Sequence, residues 1–214
     1  MTLHPQAQAI CDAIAAAPPM ELSDATLAEQ RASFGALMLF AGPVADGVAT
    51  SDHEIAGVAC RVHRPTGDDA ARPVVVLYHG GGFTIGTARE FDPVGARVAA
   101  EADAVVVVPD YRLAPEHRFP AAAEDALCAL RWASENADVL GVDANRIAVG
   151  GDSAGGNLAA VVAQQRPVPI RFQLLIYPAT DMTQSFPSQK ENAAGPVLTE
   201  QAMEWFIGHY MPNK

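Results

Sequence analysis

A serine with glycines two residues away on either side, Gly151-Asp152-Ser153-Ala154-Gly155, is the segment of this chain best suited to covalent chemistry. The spacing G-x-S-x-G fits a strand that turns sharply into a helix. The serine then sits at the bend in a strained backbone conformation, with its hydroxyl projecting at the carboxyl end of a sheet. Glycines at the flanking positions remove side chains that would collide across the bend. The pentapeptide follows "IAVG" and precedes "AGGNLAAVVAQ", which supplies the strand–turn–helix context. A plain tight turn would also place a serine among glycines, so it is the context that carries the reading of Ser153 as a nucleophile. The N-terminus of the following helix favours the negative charge that develops during attack.

Such a nucleophile needs donors for an oxyanion. "YHGGGF", Tyr78 to Phe83, comes directly off an apolar run upstream, and its three successive glycines let peptide N–H groups converge on one oxygen. The N–H groups of Gly81, Gly82 and Ala154 are the expected donors. A phosphate loop would require G-x-x-x-x-G-K-[ST] and a dinucleotide loop G-x-G-x-x-G, and neither stands here. His79 is expected to brace the loop by hydrogen bonding rather than to act as a base, and Asp152 to support it.

The elements that must position these groups are legible as an alternation. "PVVVLYH", "AVVVVPD", "RIAVGG" and "RFQLLIYP" are short apolar runs rich in branched residues. The first three are followed by helical patterns at Pro93 to Glu101, Ala121 to Asn136 and Ser153 to Gln165. Strands alternating with helices imply an α/β protein, with a mostly parallel sheet covered on both faces. Val48 to Arg64 reads as two strands of mixed polarity. Leu3 to Phe40 reads as two short helices, the second capped by Ser23 or Asp24 and carrying Leu27, Phe34, Leu37 and Met38 at helical spacing. A last helix starts after Thr199 and holds Met203, Trp205, Phe206 and Ile207.

Composition narrows the partners. The 214 residues carry a net charge of −11, with no Lys/Arg cluster, which argues against nucleic acid. The three cysteines, Cys11, Cys60 and Cys128, have no metal-like spacing, and Cys11 and Cys128 are expected to be buried free thiols. No signal-peptide pattern and no apolar stretch of membrane-spanning length are seen, so a cytoplasmic location is expected. No cofactor and no metal are implied.

Taken together, "HGGGF", "DYRLAPEHRFPAAAED" and "GDSAGGNLA" resemble, in order and separation, the signatures of the hormone-sensitive-lipase-like esterases of the α/β-hydrolase fold. That resemblance implies a serine-type hydrolase of small carboxylic esters that works without cofactor. It assigns Ser153 as nucleophile and Gly81, Gly82 and Ala154 as oxyanion hole. It divides the chain into N-terminal cap helices over 1–45, a hydrolase core over 46–198 and a second cap segment over 199–214. Phe34, Met38, Phe83, Trp205 and Phe206 are candidate pocket walls.

The resemblance breaks after the nucleophile. The family order is serine, then Asp or Glu, then His. Beyond Ser153 the chain has no "DPL" motif and one histidine, His209, placed inside a helical pattern rather than on a loop. Asp181 follows the last strand too early for the family's acid. His79 and Asp110 precede the serine, as in chymotrypsin-like proteases, but those are all-β. Asp110 is expected to tie a loop beneath the site, with Glu116 and His117 in the same structural block. The expectation is therefore an α/β-hydrolase lacking its last two strands, with nucleophile and oxyanion hole present, catalytic Asp and His missing, and an open sheet edge that leads either to homodimerisation or to poor stability. The alternatives are an acyl-binding or interaction protein that has lost turnover, and a fragment completed by a separate segment.

Overall fold

The valine run of residues 105–108 cannot face water on either side, and the fold is built so that it does not. In the computed structural model, which describes residues 3–16, 23, 26–67, 71–195 and 197–212, six strands form one sheet. The chain runs α1 (Pro5–Ala16), α2 (Leu27–Met38), β1 (Val48–Ile55), β2 (Val58–Pro65), β3 (Arg72–Tyr78) and α3 (Asp92–Ala102). It continues through β4 (Val105–Pro109), α4 (Ala121–Glu135), α5 (Ala137–Leu140), β5 (Val142–Asp152), α6 (Ala154–Gln165), β6 (Phe172–Ile176), α7 (Pro187–Glu191) and α8 (Glu200–Tyr210). Strand order is β1-β2-β4-β3-β5-β6, with β3, β4, β5 and β6 parallel and the β1–β2 hairpin antiparallel at one edge.

The period of two along β4 splits its valines between the faces. Val105 and Val107 join the larger core with α4 and α6, whereas Val106 and Val108 join a second cluster with Phe91 and Ala99 of the α3 region. All four are fully buried, each contributing about 1.5–3 kcal/mol relative to exposure. On the first face, alanines 122, 126 and 129 let α4 approach closely, and the Tyr78 hydroxyl donates to the Ala126 carbonyl at 2.9 Å. Phe34 and Met38 of α2 pack against the second cluster.

Two expectations are corrected here. The α2 helix begins at Leu27 with Thr26 in the capping position, because Ser23 is engaged instead in hydrogen bonds with Thr26; Asp24 lies outside the described residues. Cys11 and Cys128 are only half-buried, and Cys60 alone is buried, since its strand position faces the core while the other two sit at helix flanks. Thr199 does cap α8, accepting from the Ala202 N–H at 3.1 Å.

β6 is the outer strand on the side opposite the hairpin, and its residues are poorly covered. Phe172 is 63% exposed, and Tyr177 just beyond it 74%.

Candidate active site at the strand carboxyl ends

Parallel pairing fixes where the two glycine motifs meet. Tyr78, the last residue of β3, pairs with Gly151, and Asp152 pairs with Ile176. The segments that follow, His79–Phe83 from β3 and Ser153 from β5, therefore emerge side by side at the carboxyl edge. The chain steps one way along the sheet from β3 to β4 and the other way from β4 to β5. Open α/β sheets place their ligand crevice at such a reversal.

Ser153 has φ +52° and ψ −116°, a conformation that side-chain-bearing residues rarely adopt. Its environment over-determines it. The Ser153 N–H donates to the Ile176 carbonyl at 2.9 Å, and the Ser153 carbonyl accepts from Asn157 and Ala179, each at 3.0 Å. Asn157 adds a side-chain bond from Nδ2 to the Ala179 carbonyl at 2.7 Å. The flanking glycines are forced by contact: a Cβ on Gly151 would run into the Gly155 backbone, and one on Gly155 into the Tyr78 carbonyl. The serine hydroxyl does not cap α6.

The triple-glycine loop is wound tightly. Gly81, Gly82 and Phe83 have φ of +117°, +58° and +61°, and the Gly81 carbonyl accepts from the N–H groups of Thr84 (3.0 Å) and Ile85 (2.9 Å). Asp152 reaches across from the elbow, its Oδ1 accepting from the Gly80 N–H at 2.8 Å. Burial pushes the Asp152 carboxyl up to about 6, partly opposed by that N–H. His79 is fully buried; a carbonyl only accepts, so the 2.7 Å contact with the Gly80 oxygen places the proton on Nδ1. Burial also lowers its basicity, leaving it neutral. Its ring stacks on Tyr111 at 4.3 Å, and the Tyr111 hydroxyl donates to the His79 carbonyl at 2.7 Å. Asp110 accepts from the Ala88 N–H at 2.5 Å, joining the β4 end to the segment after the loop.

The residues downstream of the serine are engaged elsewhere. His209 lies in the last turn of α8, 7% exposed, with Nδ1 donating to the Trp205 carbonyl at 2.8 Å. Asp181 closes its own loop, accepting from the Thr183 N–H (2.8 Å), the Thr183 hydroxyl (2.7 Å) and the Ser185 hydroxyl (3.0 Å). Of the candidate wall residues, Phe83 is buried in a 3.8 Å stack on Tyr210, and Phe206 fills the space a Cβ on Gly82 would need. Phe34 lies near Gly86 and stacks on Phe91. A cleft of about 390 Å³ beside the loop is lined instead by Arg31, Gly86, Thr87, Glu90, Leu113, Glu116 and His117. Asn157, Tyr111 and Arg31 were missed by the sequence reading. The first two sit inside the recognised motifs, whereas Arg31 stands in a helix with no local signal. Among the described residues no helix is long and apolar enough to cross a membrane.

A strained serine elbow beside a triple-glycine loop, at the reversal of a mostly parallel sheet, defines an α/β-hydrolase. A family profile described as alpha/beta hydrolase fold matches residues 75–214, and the chain belongs to that family, in its hormone-sensitive-lipase-like branch. The carboxylesterase NlhH of Mycobacterium tuberculosis is 52% identical over 145 residues, covering 66% of this chain and 46% of that protein. Ethyl acetate hydrolase of Pseudomonas putida is 42% identical over 157 residues, covering 70% and 49% respectively. The chain thus spans about half the length of these curated relatives. The solved structure of the hyperthermophilic esterase from Pyrobaculum calidifontis superposes with a TM-score of 0.89 at 39% identity, covering 100% of this chain and 72% of that one.

Proposed function

We propose that this chain carries the acyl-accepting half of a serine carboxylesterase acting on small carboxylic esters. The observation that carries the reading is the strained Ser153 at the head of α6, two residues beyond Gly151, which pairs in register with Tyr78, the residue from which the His79–Phe83 loop departs. In this reading Ser153 Oγ attacks the ester carbonyl. The N–H groups of Gly81, Gly82 and Ala154 receive the oxyanion, and His79 and Asp152 hold the loop that presents them. No step uses a metal or cofactor. Attack also requires a base for the hydroxyl proton and an acid for the leaving alcohol. His209 is a poor candidate for either, being buried in α8 with Nδ1 committed to Trp205. Other enzymes stripped of triad members retain on the order of 10³–10⁴-fold acceleration over water, far below ordinary turnover.

A fluorophosphonate probe tests the nucleophile directly. The serine oxygen bonds to phosphorus, fluoride leaves, and the hydroxyl proton passes to solvent. Stoichiometric labelling that disappears in Ser153→Ala, with p-nitrophenyl butyrate turnover of the 214-residue chain orders of magnitude below that of an ordinary esterase, is the expected result. Equal labelling of Ser153→Ala would refute the assignment. Serine-dependent turnover of ordinary size would mean that a base is present, and labelling with no turnover at all would favour an acyl-binding role.

The same reading extends to self-association. Among the described residues no strand pairs with the outer edge of β6, beside exposed Phe172 and Leu175, and we propose a second copy of this chain as its partner. Sedimentation should show a concentration-dependent dimer that Leu175→Lys abolishes. A wild-type monomer at about 100 µM, a concentration at which contacts of only ~5–6 kcal/mol would register, would refute it.

A further inference from the structure

Gly81, Gly82 and Phe83 form three successive left-handed residues, and only two of them are glycines. The glycines adopt such φ freely, but Phe83 holds +61° only where its surroundings enforce it. On one side the enforcement comes from α8, through Phe206 against Gly82 and Tyr210 stacked on Phe83. On the other side one side chain backs the residues that hold it. Arg31 of α2 donates from Nε to the Thr84 carbonyl at 3.0 Å and from Nη2 to the Ala114 carbonyl at 3.1 Å. Those two residues already hold the loop: the Thr84 N–H donates to the Gly81 carbonyl, its hydroxyl donates to the Gly82 carbonyl at 3.0 Å, and the Ala114 N–H donates to the Phe83 carbonyl at 2.8 Å.

The guanidinium is itself fixed. Glu116 takes its two outer nitrogens in a bidentate pair at 2.8 and 2.7 Å, and this pairing holds the Glu116 carboxyl down near 2. All three nitrogens of the fork are therefore used, and a lysine cannot reproduce that pattern. No residue of α2 is fully buried, so packing alone is a weak reason for an arginine to reach inward here.

We infer that Arg31 is a positioning residue for the oxyanion hole: from the N-terminal cap helix it locks the turn that aims the Gly81 and Gly82 N–H groups. The inference rests on the proposed role of Ser153, and the test separates the two. Fluorophosphonate labelling of the full chain is followed by mass spectrometry as rate and final extent. Arg31→Met and Arg31→Lys should both label to completion, with the saturating rate constant reduced about 10- to 100-fold and half-saturation within twofold of wild type. The scale is set by the loss of one oxyanion donor, on the order of 10²–10³-fold. Failure of lysine to restore the rate, despite its charge, is part of the expectation.

A purely structural role would instead lower the labelled fraction and leave the rate of the folded fraction unchanged, which would overturn the inference. So would an Arg31→Lys rate within twofold of wild type, and that variant decides the matter if Arg31→Met fails to fold. Absence of labelling in the wild type would count against the nucleophile assignment rather than against Arg31.

Discussion

Replacing Ser153 with glycine should make the protein more stable while abolishing the proposed nucleophilic attack. The backbone at φ +52°, ψ −116° is a conformation glycine adopts freely, whereas holding a residue with a Cβ there costs about 1–3 kcal/mol. Against that relief, glycine widens the unfolded ensemble, which costs about 0.4–1 kcal/mol. The hydroxyl makes no capping bond to α6, so its removal orphans no helix donor. The balance is a gain of about 1 kcal/mol for Ser153→Gly, equivalent to an upward shift in Tm of about 2–4 °C for a chain of this size. Ser153→Ala keeps the Cβ and the strain, and should melt within about 1 °C of wild type. Thermal unfolding by circular dichroism and urea midpoints, read on all three proteins, measure the difference. A Ser153→Gly protein that melts at or below Ser153→Ala would show that no strain is stored at the elbow.

Two further substitutions probe the same corner. Gly155→Ala drives a methyl into the backbone of Tyr78 and His79, which no rotamer change relieves, so a loss of about 3 kcal/mol or more is expected in the urea midpoint; a wild-type midpoint would contradict the packing described. Asp152→Asn keeps an acceptor for the Gly80 N–H and removes a carboxyl that burial pushes from its ordinary 3.8 to about 6. Because the native state binds that proton more tightly than the unfolded one, the carboxyl's penalty is absent below pH 4, grows between pH 4 and 6 and is complete above. The full displacement is worth at most about 3 kcal/mol, and partial solvent access reduces it to about 1–2. Asp152→Asn should therefore be the more stable protein at pH 7.5 and equal to wild type at pH 4, and parallel pH profiles of Tm would refute this.

The strands were readable because a parallel sheet buried on both faces must be apolar without interruption, and "VVVLY" and "VVVVP" are short and β-branched, as such strands require. The elbow was readable because each of its glycines answers a specific backbone collision. The four-residue α5, the long start of β5 at Val142 and the short α7 were not read, since none carries an apolar period of its own. The start of α2 was misjudged because Ser23 and Thr26 are both good caps, and the two are hydrogen-bonded to each other while Thr26 takes the position before the helix. Arg31 was invisible for a different reason: a lone arginine in a polar helix has the same local pattern whether it points to water or to carbonyls far along the chain.

Holding the loop from residue 31 on one flank and from residues 206 and 210 on the other has an entropic meaning. The α8 contacts close a longer loop (124 residues from Gly82 to Phe206) than the pairing of Tyr78 with Gly151 (73) or the bond from Arg31 to Thr84 (53), so their closure costs the most chain entropy. Under the proposed function, loss of the α8 contacts would loosen the turn of residues 81–83 while the strand pairing behind Ser153 stays closed.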